Sequence, residues 1–517
     1  MKAYAYNLSQ RFAEVCGGDG SRPALRYPER TVSFGELAGM VERLARHILN
    51  HGCQRGDVIA IGHTKRPLSF ALMLAALRLG VAYVNIDVAS PTARTARILR
   101  TSGATLLFFD DPAHWDAMAE LAASHACPLL HLDESQLPEI SAAEREEHSR
   151  LSSRVDGACI AYIMFTSGST GVPKGVAVTH QNVLHFIAWG QRQFEVSEKD
   201  NFANLSPMYF DNSVFDFYVG LFSGASLSPV SRELLSDPYA LAAHVGNMAC
   251  TVWFSVPSLL MYLMTMKALT AAGLPSLRAI VFGGEGYPKV ELKKLHDLFS
   301  RQAQLVNVYG PTECTCICSA HRLGDADFDD LEGLPTLGHL NPNFDYRIVD
   351  EEDRDTASGE LCLIGPNVAA GYFNDPERTA AAFHTLTDAR RYMKRMYRTG
   401  DLVREEGGRL YFMGRKDNQI KHMGYRIELE EIEQALMRQP AIHQAAVMYQ
   451  RGHAAYGKLI GFVASTEQLD DREVLTELAG LLPDYMVPAR LFVLSELPKN
   501  PNGKVDRQRL KDLLAQQ

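Results

Sequence analysis

The chain has 517 residues, of which 46% are hydrophobic and 22% are charged, and its formal net charge is −9 at pH 7. This length is more than one hydrophobic core usually covers, so we expect two or more domains. The acidic balance argues against a nucleic-acid-binding protein, because such proteins normally carry a basic surface.

No apolar run approaches the roughly 18 residues of a membrane-spanning helix. The first residues also lack the apolar core of a secretion signal. The chain has nine cysteines, an odd number without the regular spacing of a disulfide framework. This pattern is typical of proteins in a reducing compartment, so we expect a cytoplasmic protein without a membrane span.

From about residue 25 to 310, short apolar runs alternate with helix-like stretches. The runs lie at 58–61, 105–109, 251–254 and 279–282. Such a pattern predicts parallel strands that are buried on both faces and flanked by helices. Several runs end in glycine- or proline-rich turns, and ligands of α/β sheets bind beyond the carboxyl ends of the strands. We therefore expect the turns at 256–257, 283–285 and 310–313 to converge.

The loop from Phe165 to Gly175 is the strongest local indication of function. It contains glycines, hydroxyl side chains and Lys174, and it directly follows the apolar run 160–165. Glycines let backbone N–H groups approach a polyanion, while hydroxyls and a lysine donate to its oxygens. The spacing is not that of the Walker P-loop. A flexible linker is the alternative, but the loop leads into a predicted amphipathic helix over 179–194.

The pattern changes to shorter alternating strands from about 336 to 413, which predicts a β-rich subdomain. A polar stretch at 414–419 then precedes a predicted helix at 428–437 and strand-like runs at 445–448 and 459–463. The predicted fold is therefore a large α/β domain, 1–416, with parallel sheets flanked by helices. A small, mobile α+β domain follows at 417–517.

Three cysteines alternate at 314, 316 and 318. In an extended segment they would share one face and pack as small hydrophobic residues. A zinc site is the alternative interpretation, but no neighbouring pair of histidines completes a ligand set.

Further motifs extend over nearly the whole chain, in a fixed order. They are Ser33-Phe34-Gly35-Glu36-Leu37, Ala82-Tyr83-Val84-Asn85-Ile86-Asp87, the loop 166–174, Phe210-Asp211-Asn212-Ser213-Val214-Phe215-Asp216, Asn307-Val308-Tyr309-Gly310-Pro311-Thr312-Glu313, Tyr397-Arg398-Thr399-Gly400-Asp401, Gly414-Arg415-Lys416-Asp417, Leu482-Pro483-Asp484-Tyr485-Met486-Val487-Pro488 and Asn502-Gly503-Lys504-Val505-Asp506. In this order they resemble the adenylate-forming superfamily. The resemblance is to amino-acid adenylation domains of nonribosomal peptide synthetases and their freestanding relatives, such as D-alanine–carrier-protein ligases.

The resemblance implies a reaction in two halves. A substrate carboxylate attacks the α-phosphate of ATP, which yields an acyl-adenylate and pyrophosphate. The acyl group then passes to a thiol, usually the phosphopantetheine arm of a carrier protein. Both halves require neutralisation of phosphate charge rather than a protein nucleophile, and the implied cofactors are ATP and Mg²⁺.

The resemblance also implies which residues bind the nucleotide. These are Thr166, Ser167, Gly168, Ser169, Thr170, Gly171, Lys174, Gly284, Glu285, Asn307, Val308, Tyr309, Gly310, Pro311, Thr312, Asp401, Phe412, Arg415 and Lys504. The loop would hold the β- and γ-phosphates, and Asp401 would accept the ribose hydroxyls, with Arg415 on the ribose or phosphate side. Tyr309 would stack near the adenine.

Three residues are implied in catalysis. Thr312 and Glu313 would face the α-phosphate, with Glu313 as a ligand of Mg²⁺. The ammonium of Lys504 would bridge the substrate carboxylate and the α-phosphate. Taken singly, each motif residue has an ordinary alternative role: Asp401 in a turn, Lys504 in a solvated hairpin, Glu313 as a helix cap and Tyr309 in the core.

Lys504 belongs to the small domain and the phosphate loop to the large one, so one domain must close on the other. Asp417 matches the family's hinge between adenylation and thiolation, where a few backbone rotations produce a large motion. An ordinary linker carboxylate is the alternative. The segment around Gly424 would line the pantetheine tunnel, and here His422-Met423 replaces an arginine that is frequent in the family.

Asp211 is the main indication of the substrate class. The resemblance implies that it pairs with the α-ammonium of an amino acid, and a carboxylate in an apolar pocket is costly without a cationic partner. A surface or capping aspartate is the alternative. The implied pocket consists of Asp211, Asn212, Phe215, Ser255, Val281, Gly283, Val308, Cys316, Ile317 and Lys504. It holds no further charge near the substrate side chain, so we expect a small or medium neutral amino acid.

No serine motif of a carrier domain lies between Lys504 and Gln517, and we expect no condensation domain before residue 1. We therefore expect a separate carrier protein as the partner. One alternative is an acyl- or aryl-CoA ligase of the same superfamily, which Asp211 disfavours. Another is a non-catalytic nucleotide-binding protein, which the presence of Lys504, Glu313 and Asp401 disfavours.

Overall fold

The computed structural model describes residues 4–125, 127–168, 172–387, 393–450, 457–499 and 505–515. The chain forms two compact units. The first consists of Met1–Val88, Leu99–Met164 and Gly175–Lys416. The second consists of Ala89–Ile98, Phe165–Lys174 and Asp417–Gln517, so it contains the predicted phosphate loop as well as the C-terminal part of the chain.

Two large sheets are built from strands that lie between Pro23 and Tyr372. Sheet A has eight strands, which are in spatial order Ser319–Arg322, Gln304–Tyr309, Ala279–Gly283, Val252–Ser255, Asn201–Asn204, Ser226–Pro229, Pro23–Arg26 and Thr31–Ser33. Sheet B has seven strands, which are in spatial order Gly371–Tyr372, Lys174–Thr179, Ile160–Thr166, Ala82–Ile86, Val58–Gly62, Leu106–Phe109 and Leu129–His131.

The apolar runs that predicted buried parallel strands all form strands in these sheets. Val252–Ser255 pairs in parallel with Ala279–Gly283, and Val58–Gly62 pairs in parallel with Leu106–Phe109. Every residue of these four strands is buried, since both faces of the sheets are covered. The predicted α/β class of the large N-terminal part is therefore confirmed.

The predicted β-rich region forms a separate antiparallel sheet C. Its strands are Asp345–Val349, Ser358–Ile364, Met393–Glu406, Phe383–Thr387 and Arg409–Arg415. The long strand Met393–Glu406 pairs with three of the others, and its register shifts between Leu402 and Val403. Such a shift redirects neighbouring side chains, and here it follows Asp401 directly.

Helices cover the sheets. The α-helices among the described residues are Leu8–Cys16, Phe34–Asn50, Pro67–Leu79, Thr92–Ser102, Trp115–Ser124, Ala142–Ser152, His180–Gln193, Asn212–Val214, Arg232–Ser236, Pro238–Asn247, Pro257–Thr265, Lys289–Phe299, Pro376–Ala382, Leu429–Leu436, Asp471–Ala479 and Arg507–Ala515. A π-helix spans Phe215–Leu221. Short 3₁₀ turns lie at Pro112–His114, Glu134–Gln136, Thr312–Cys314, Asp325–Phe328 and Asp484–Met486. Within the part of the chain that is described, no helix has both the length and the apolarity needed to cross a membrane.

The helix after the phosphate loop begins at a sequence-encoded cap. Thr179 accepts a hydrogen bond from the backbone of Asn182, whose side chain bonds back to the backbone of Thr179. This reciprocal pair satisfies two N–H groups that the first turn would otherwise leave unbonded. The helix then buries the apolar face that includes Val183 and Phe186. The prediction of a helix over 179–194 is confirmed as His180–Gln193.

The second unit has two small sheets and its own core. One sheet pairs Gln419–His422 with Tyr425–Glu428, and the other orders Gln444–Gln450, Lys458–Ala464 and Arg490–Leu494. The helix Leu429–Leu436 packs Ile432 and Leu436 into a cluster of buried hydrophobic side chains. The expected small α+β domain is confirmed.

Glycine is required where two strands of sheet A lie close to the predicted site. A Cβ atom added to Gly283 would stand 2.4 Å from the backbone oxygen of Val308. This contact is with the backbone of a neighbouring strand, so a side-chain rotation cannot relieve it. Relief requires the two strands to separate, which would disturb the strand ends that carry the candidate site.

We expect Gly283→Ala to lower the free energy of unfolding by about 1–3 kcal/mol, because overpacking a close-packed interior costs that much. Gly39→Ala is the matched control: it lies in the helix Phe34–Asn50, and an added Cβ has no neighbour within 4 Å. It should leave stability unchanged or raise it by about 0.5–1 kcal/mol. Urea denaturation of the two variants measures both effects, and equal midpoints would contradict the steric argument.

Candidate active site

The site of the first unit lies where three parallel strands of sheet A end. Ser255 is paired with Phe282, and Gly283 is paired with Val308. The turns that follow these residues therefore leave the same edge of the sheet, as the sequence predicted. The left-handed backbone of Gly284, with φ of +88°, turns the chain directly after the middle strand.

Asp401 lies at the centre of a hydrogen-bonded cluster. The Tyr309 hydroxyl donates to Asp401 Oδ2 at 2.5 Å, and Arg415 Nη1 donates to Asp401 Oδ1 at 2.5 Å. Asp401 is only 5% exposed, so its charge needs these donors. Burial, together with the adjacent Asp401 carboxylate, raises the pKa of the Tyr309 hydroxyl well above its usual value, which keeps it a donor. The structure thus brings together Tyr309, Asp401 and Arg415, three residues that were predicted to bind the nucleotide.

Other predicted nucleotide residues surround these strand ends. Asn307 is buried, and its amide donates to the backbone oxygen of Thr336 at 2.9 Å. Glu285 Oε2 accepts the backbone N–H of Ser258 at 3.2 Å. Phe412 is half-buried in the strand Arg409–Arg415, which pairs with the strand that carries Asp401. Whether these groups bind a nucleotide stays a prediction.

A second pair of contacts lies in the segment after Gly310. The Thr312 hydroxyl donates to Asp211 Oδ2 at 2.5 Å. Glu313 is fully buried, and its Oε1 accepts the Tyr372 hydroxyl at 2.8 Å. Thr312 therefore contacts Asp211, the predicted partner of the substrate amino group. The next residue, Glu313, is the predicted ligand of Mg²⁺.

The backbone between Thr312 and Cys316 is unusual. A 3₁₀ turn at Thr312–Cys314 is followed by Thr315 and Cys316, whose φ angles are +59° and +74°. Non-glycine residues rarely adopt this region, and they keep it only where surrounding contacts enforce it. Here the Thr315 hydroxyl donates to the backbone oxygen of Asn367 at 2.8 Å. The turn fixes Thr312 and Glu313 relative to each other.

The extended geometry considered for the three alternating cysteines is therefore wrong. The 3₁₀ turn and the two left-handed residues bend this segment, so the alternation does not define one face. The thiols of Cys314, Cys316 and Cys318 are nonetheless all buried in the main hydrophobic cluster. Burial raises the pKa of each thiol. Among the described residues, no group of three or more His, Cys, Asp or Glu side chains could hold a metal ion.

The predicted pocket residues differ in their exposure. Phe215 is fully buried and packs edge-on against Phe194 and Phe254. The Ser255 hydroxyl accepts from the indole of Trp253 at 2.8 Å, so part of its hydrogen-bonding capacity is used inside the protein. The remaining apolar members, Val281, Val308, Cys316 and Ile317, are buried, whereas Asn212 is partly exposed.

The phosphate loop belongs to the second unit. Ser167 Oγ donates to the backbone oxygen of Arg426 at 2.6 Å, and the backbone N–H of Gly168 donates to Glu431 Oε2 at 3.3 Å. Lys174 Nζ lies 3.7 Å from Glu428 Oε1. The Thr166 hydroxyl is buried and has no hydrogen-bond partner within the described part of the chain. The predicted residues Ser169, Thr170, Gly171 and Lys504 lie outside the described residues.

Comparison with known proteins gives the family. The family described as AMP-binding enzyme matches residues 12–373, and the AMP-binding enzyme C-terminal domain matches residues 431–504. The chain belongs to the AMP-binding enzyme family.

Relatives with known names cover almost all of the chain. It is 35% identical to an L-proline–[L-prolyl-carrier protein] ligase of Streptomyces coelicolor, over 93% of this chain and 91% of the relative. It is 31% identical to a D-alanine–D-alanyl carrier protein ligase of Bacillus thuringiensis, over 94% and 95% respectively. A solved nonribosomal peptide synthetase protein that contains adenylation and PCP domains, PA1221, superposes with a TM-score of 0.82 at 26% identity, covering 98% of this chain and 84% of the other.

This AMP-binding enzyme contains contact residues that sequence reasoning did not single out. Tyr372 bonds Glu313, and Glu428 and Glu431 contact the phosphate loop. Arg94 donates from Nη1 to Glu431 Oε1 at 2.8 Å. Their partners lie far away in sequence, so the spacing of residues within a motif could not indicate these contacts. A weak signal existed for Glu431, because it is an acidic residue in the first turn of a predicted helix.

The residues present fit the groups that the family binds. The buried Thr166 hydroxyl, which has no hydrogen-bond partner among the described residues, and the Gly168 N–H, which donates to a carboxylate, both suit phosphate oxygens. A buried carboxylate such as Glu313 suits Mg²⁺, which usually takes one or two protein carboxylates together with substrate phosphates.

We expect Tyr309→Phe to lower the free energy of unfolding by about 1–3 kcal/mol, because it removes a donor from a buried carboxylate. The control is Tyr239→Phe, whose hydroxyl donates to the backbone oxygen of Met266 from a side chain that is 58% exposed. Water replaces that bond, so the control should change stability by less than about 0.5 kcal/mol. Urea denaturation compares the free energies of unfolding of the two variants. An equal decrease in both would show that the bond to Asp401 stabilises the protein no more than an exposed bond does.

Proposed function

We propose that the protein activates a small or medium neutral amino acid with ATP. The products of this first half are an aminoacyl-adenylate and pyrophosphate. In the second half the aminoacyl group passes to the phosphopantetheine thiol of a separate carrier protein. The names of the proline and D-alanine relatives and the family membership support both halves.

The proposal that the substrate is an amino acid rests mainly on the hydrogen bond from Thr312 to Asp211. It links a carboxylate, suited to an α-ammonium group, to a residue predicted to face the α-phosphate. An amino acid held by Asp211 would thus present its carboxylate on the side of Thr312 and Glu313. Holding two reactants in this way lowers the barrier by removing the entropic cost of their encounter.

The cluster of Tyr309, Asp401 and Arg415 supports the adenosine side. Asp401 is an acceptor-only side chain, which suits the donor hydroxyls of a ribose. Its two bonds inside the protein hold it in one orientation before the nucleotide arrives. Such preorganisation reduces the ordering cost of binding.

Charge neutralisation is assigned to three groups. Glu313 would hold Mg²⁺, which supplies positive charge to the phosphates when bound. Thr312 would donate to the α-phosphate, and Lys504 would place its ammonium between that phosphate and the substrate carboxylate. Preorganised donors and cations of this kind are usually the largest catalytic contribution.

We also propose the division into a core, 1–416, and a mobile domain, 417–517, with the hinge at Asp417. Asp417 Oδ1 accepts the backbone N–H of Gln419 at 3.2 Å, at the start of the C-terminal part of the second unit. The site of action we propose is the cytoplasm, because all nine cysteines are free.

The first test is ATP–pyrophosphate exchange with each of the common amino acids. We expect exchange with small neutral amino acids, and we expect Asp211→Asn to lower kcat/KM for the preferred one by about 10²–10³-fold. A fall of this size follows when a substrate ammonium loses the carboxylate that pairs with it. The matched control, Asp297→Asn, removes an exposed carboxylate paired with Lys293 and should leave exchange unchanged. Exchange with aryl or fatty acids alone would reject the amino-acid assignment.

The second test separates a carrier from coenzyme A as the thiol. With the preferred amino acid and ATP, we expect a holo carrier protein to be acylated while an equal concentration of CoA is not, because recognition of a protein surface adds contacts that a free thiol lacks. Mass spectrometry of both thiols in one mixture measures the ratio. Preferential formation of an aminoacyl-CoA would favour the CoA-ligase alternative.

A further inference from the structure

The ammonium of Lys65 is bonded to the carboxyl ends of two neighbouring strands of sheet A. Lys65 Nζ donates to the backbone oxygens of Asn204, Leu205 and Val230 at 2.7, 3.0 and 3.0 Å. These oxygens lie at or just beyond the ends of two strands that pair in parallel. An ammonium group has three N–H bonds, so all of them are used on these carbonyl groups.

The backbone of Lys65 is held in an unusual conformation. Lys65 lies in the loop between the strand Val58–Gly62 and the helix Pro67–Leu79, and its φ angle is +62°. Non-glycine residues keep this left-handed region where surrounding contacts enforce it. Its backbone N–H donates to His63 Nδ1 at 3.0 Å, and its backbone oxygen accepts the Tyr27 hydroxyl at 2.8 Å. Both the backbone and the ammonium of Lys65 are therefore fixed.

Asp216 is the charged partner of this ammonium. It is 1% exposed, and its Oδ2 accepts the side-chain amide of Asn204 at 3.3 Å. Its Oδ1 is buried and has no hydrogen-bond partner within the described ranges. Burial lowers the pKa of Lys65 to about 7 and raises the pKa of Asp216 well above its usual value, while the charge of each group opposes the shift of the other. The charged form of each group therefore depends on the other group.

Asp216 belongs to a π-helix that also carries a residue of the predicted amino-acid pocket. The π-helix spans Phe215–Leu221 and directly follows the short helix Asn212–Val214. π-Helices are rare and occur frequently at functional sites. Phe215, the first residue of the π-helix, is fully buried and packs edge-on against Phe254. A shift of Asp216 would therefore shift the adjacent aromatic ring of the predicted pocket.

Further contacts hold the π-helix against elements that follow Lys65 in the chain. Phe70 stacks on Phe217, with ring centroids 6.0 Å apart and ring planes 20° apart. The hydroxyl of Tyr83, on a strand of sheet B, lies 2.7 Å from the hydroxyl of Tyr218. The position of the π-helix is thus set by side chains from sheet B and from the loop and helix beside it.

We propose that Lys65 and Asp216 position the amino-acid pocket of the proposed function. The carboxylate keeps the third proton on Lys65, since a neutral amine could donate to only two of the three carbonyl groups. The ammonium fixes the strand ends, and the carboxylate fixes the π-helix with Phe215 against them. This inference rests on the proposed function, because it assumes that Phe215 lines an amino-acid pocket. Lys65 and Asp216 are positioning residues in this account, since they touch no reacting atom.

The first experiment measures ATP–pyrophosphate exchange by the full chain with Asp216→Asn, which keeps the shape of the side chain and removes its charge. We expect KM for the preferred amino acid to rise about tenfold, while kcat and KM for ATP change by less than about twofold. This split follows because the variant alters the amino-acid pocket and leaves the nucleotide side in place. Poor folding alone would lower kcat through the fraction of active enzyme and leave both KM values unchanged.

The matched control is Asp200→Asn. Asp200 is 3% exposed and accepts from Arg278 Nε at 2.7 Å, so this variant also removes the charge of a buried carboxylate. It precedes the strand Asn201–Asn204, at the opposite end from the carbonyl groups that Lys65 binds. We expect it to lower stability and leave KM for the amino acid unchanged. An equal rise of that KM in both variants overturns the inference.

A double variant tests whether the two side chains act as a pair. Lys65→Met removes the ammonium and keeps an unbranched apolar chain. In Lys65→Met/Asp216→Asn, we expect KM for the amino acid to rise by less than the product of the two single rises, because neither charge is left without its partner. A rise equal to that product overturns the pairing.

The last measurement depends neither on activity nor on the Lys65 variant. Hydrogen exchange is followed by mass spectrometry in peptides that cover 212–221, in the unaltered chain, Asp216→Asn and Asp200→Asn. We expect faster exchange in Asp216→Asn alone, because the π-helix loses a charged contact. Unchanged hydrogen exchange there, or an unchanged KM for the amino acid, overturns this inference and leaves the proposed function standing. Absence of ATP–pyrophosphate exchange with every amino acid in the unaltered chain overturns both.

Discussion

Buried carboxylates that must be hydrogen-bonded are the constraint on which the site depends. Asp401 is bonded to Tyr309 and Arg415, and Glu313 is bonded to Tyr372, while the half-buried Asp211 is bonded to Thr312. Arg415 lies on the strand next to Asp401, whereas in the other pairs the donor and the acceptor come from distant parts of the chain. Since an unpaired buried charge is strongly destabilising, each pair also ties together the elements that carry it.

These pairs connect three sheets whose apolar side chains also share one hydrophobic cluster. Tyr309 ends a parallel strand of sheet A, whereas Asp401 and Arg415 belong to antiparallel strands of sheet C. Glu313 follows sheet A, and Tyr372 lies on the edge strand of sheet B. The polar groups of the candidate site thus hold the α/β core and the β-rich region in one arrangement, and a ligand would meet groups that are already oriented.

In the second unit, buried carboxylates of the C-terminal segment likewise have hydrogen-bond donors and a cation as partners. The phosphate loop offers donors and a cation, and the C-terminal segment offers Glu428 and Glu431. The donors of the loop thus contact carboxylates of the same chain.

Much of this was predictable from the sequence alone. Runs of apolar residues determined the buried strands, as at 58–61 and 279–282, because burial on both faces leaves a signal in composition. The amphipathic pattern over 179–194 indicated the helix that the structure begins at the cap of Thr179 and Asn182. The resemblance of short contiguous motifs to the family is what singled out the loop 166–174, Asp211, Asp401 and Glu313, and their binding roles stay predictions.

Only the tertiary structure decided the contacts between those motifs. No local pattern indicates that Tyr372 reaches Glu313, or that Arg94 and Gly168 share Glu431, since the partners are separated by tens to hundreds of residues. The left-handed residues Thr315 and Cys316 likewise contradict the extended geometry considered for the alternating cysteines. A chain encodes its strands, helices and loops through near neighbours, but which charge is buried beside which donor depends on how those elements pack.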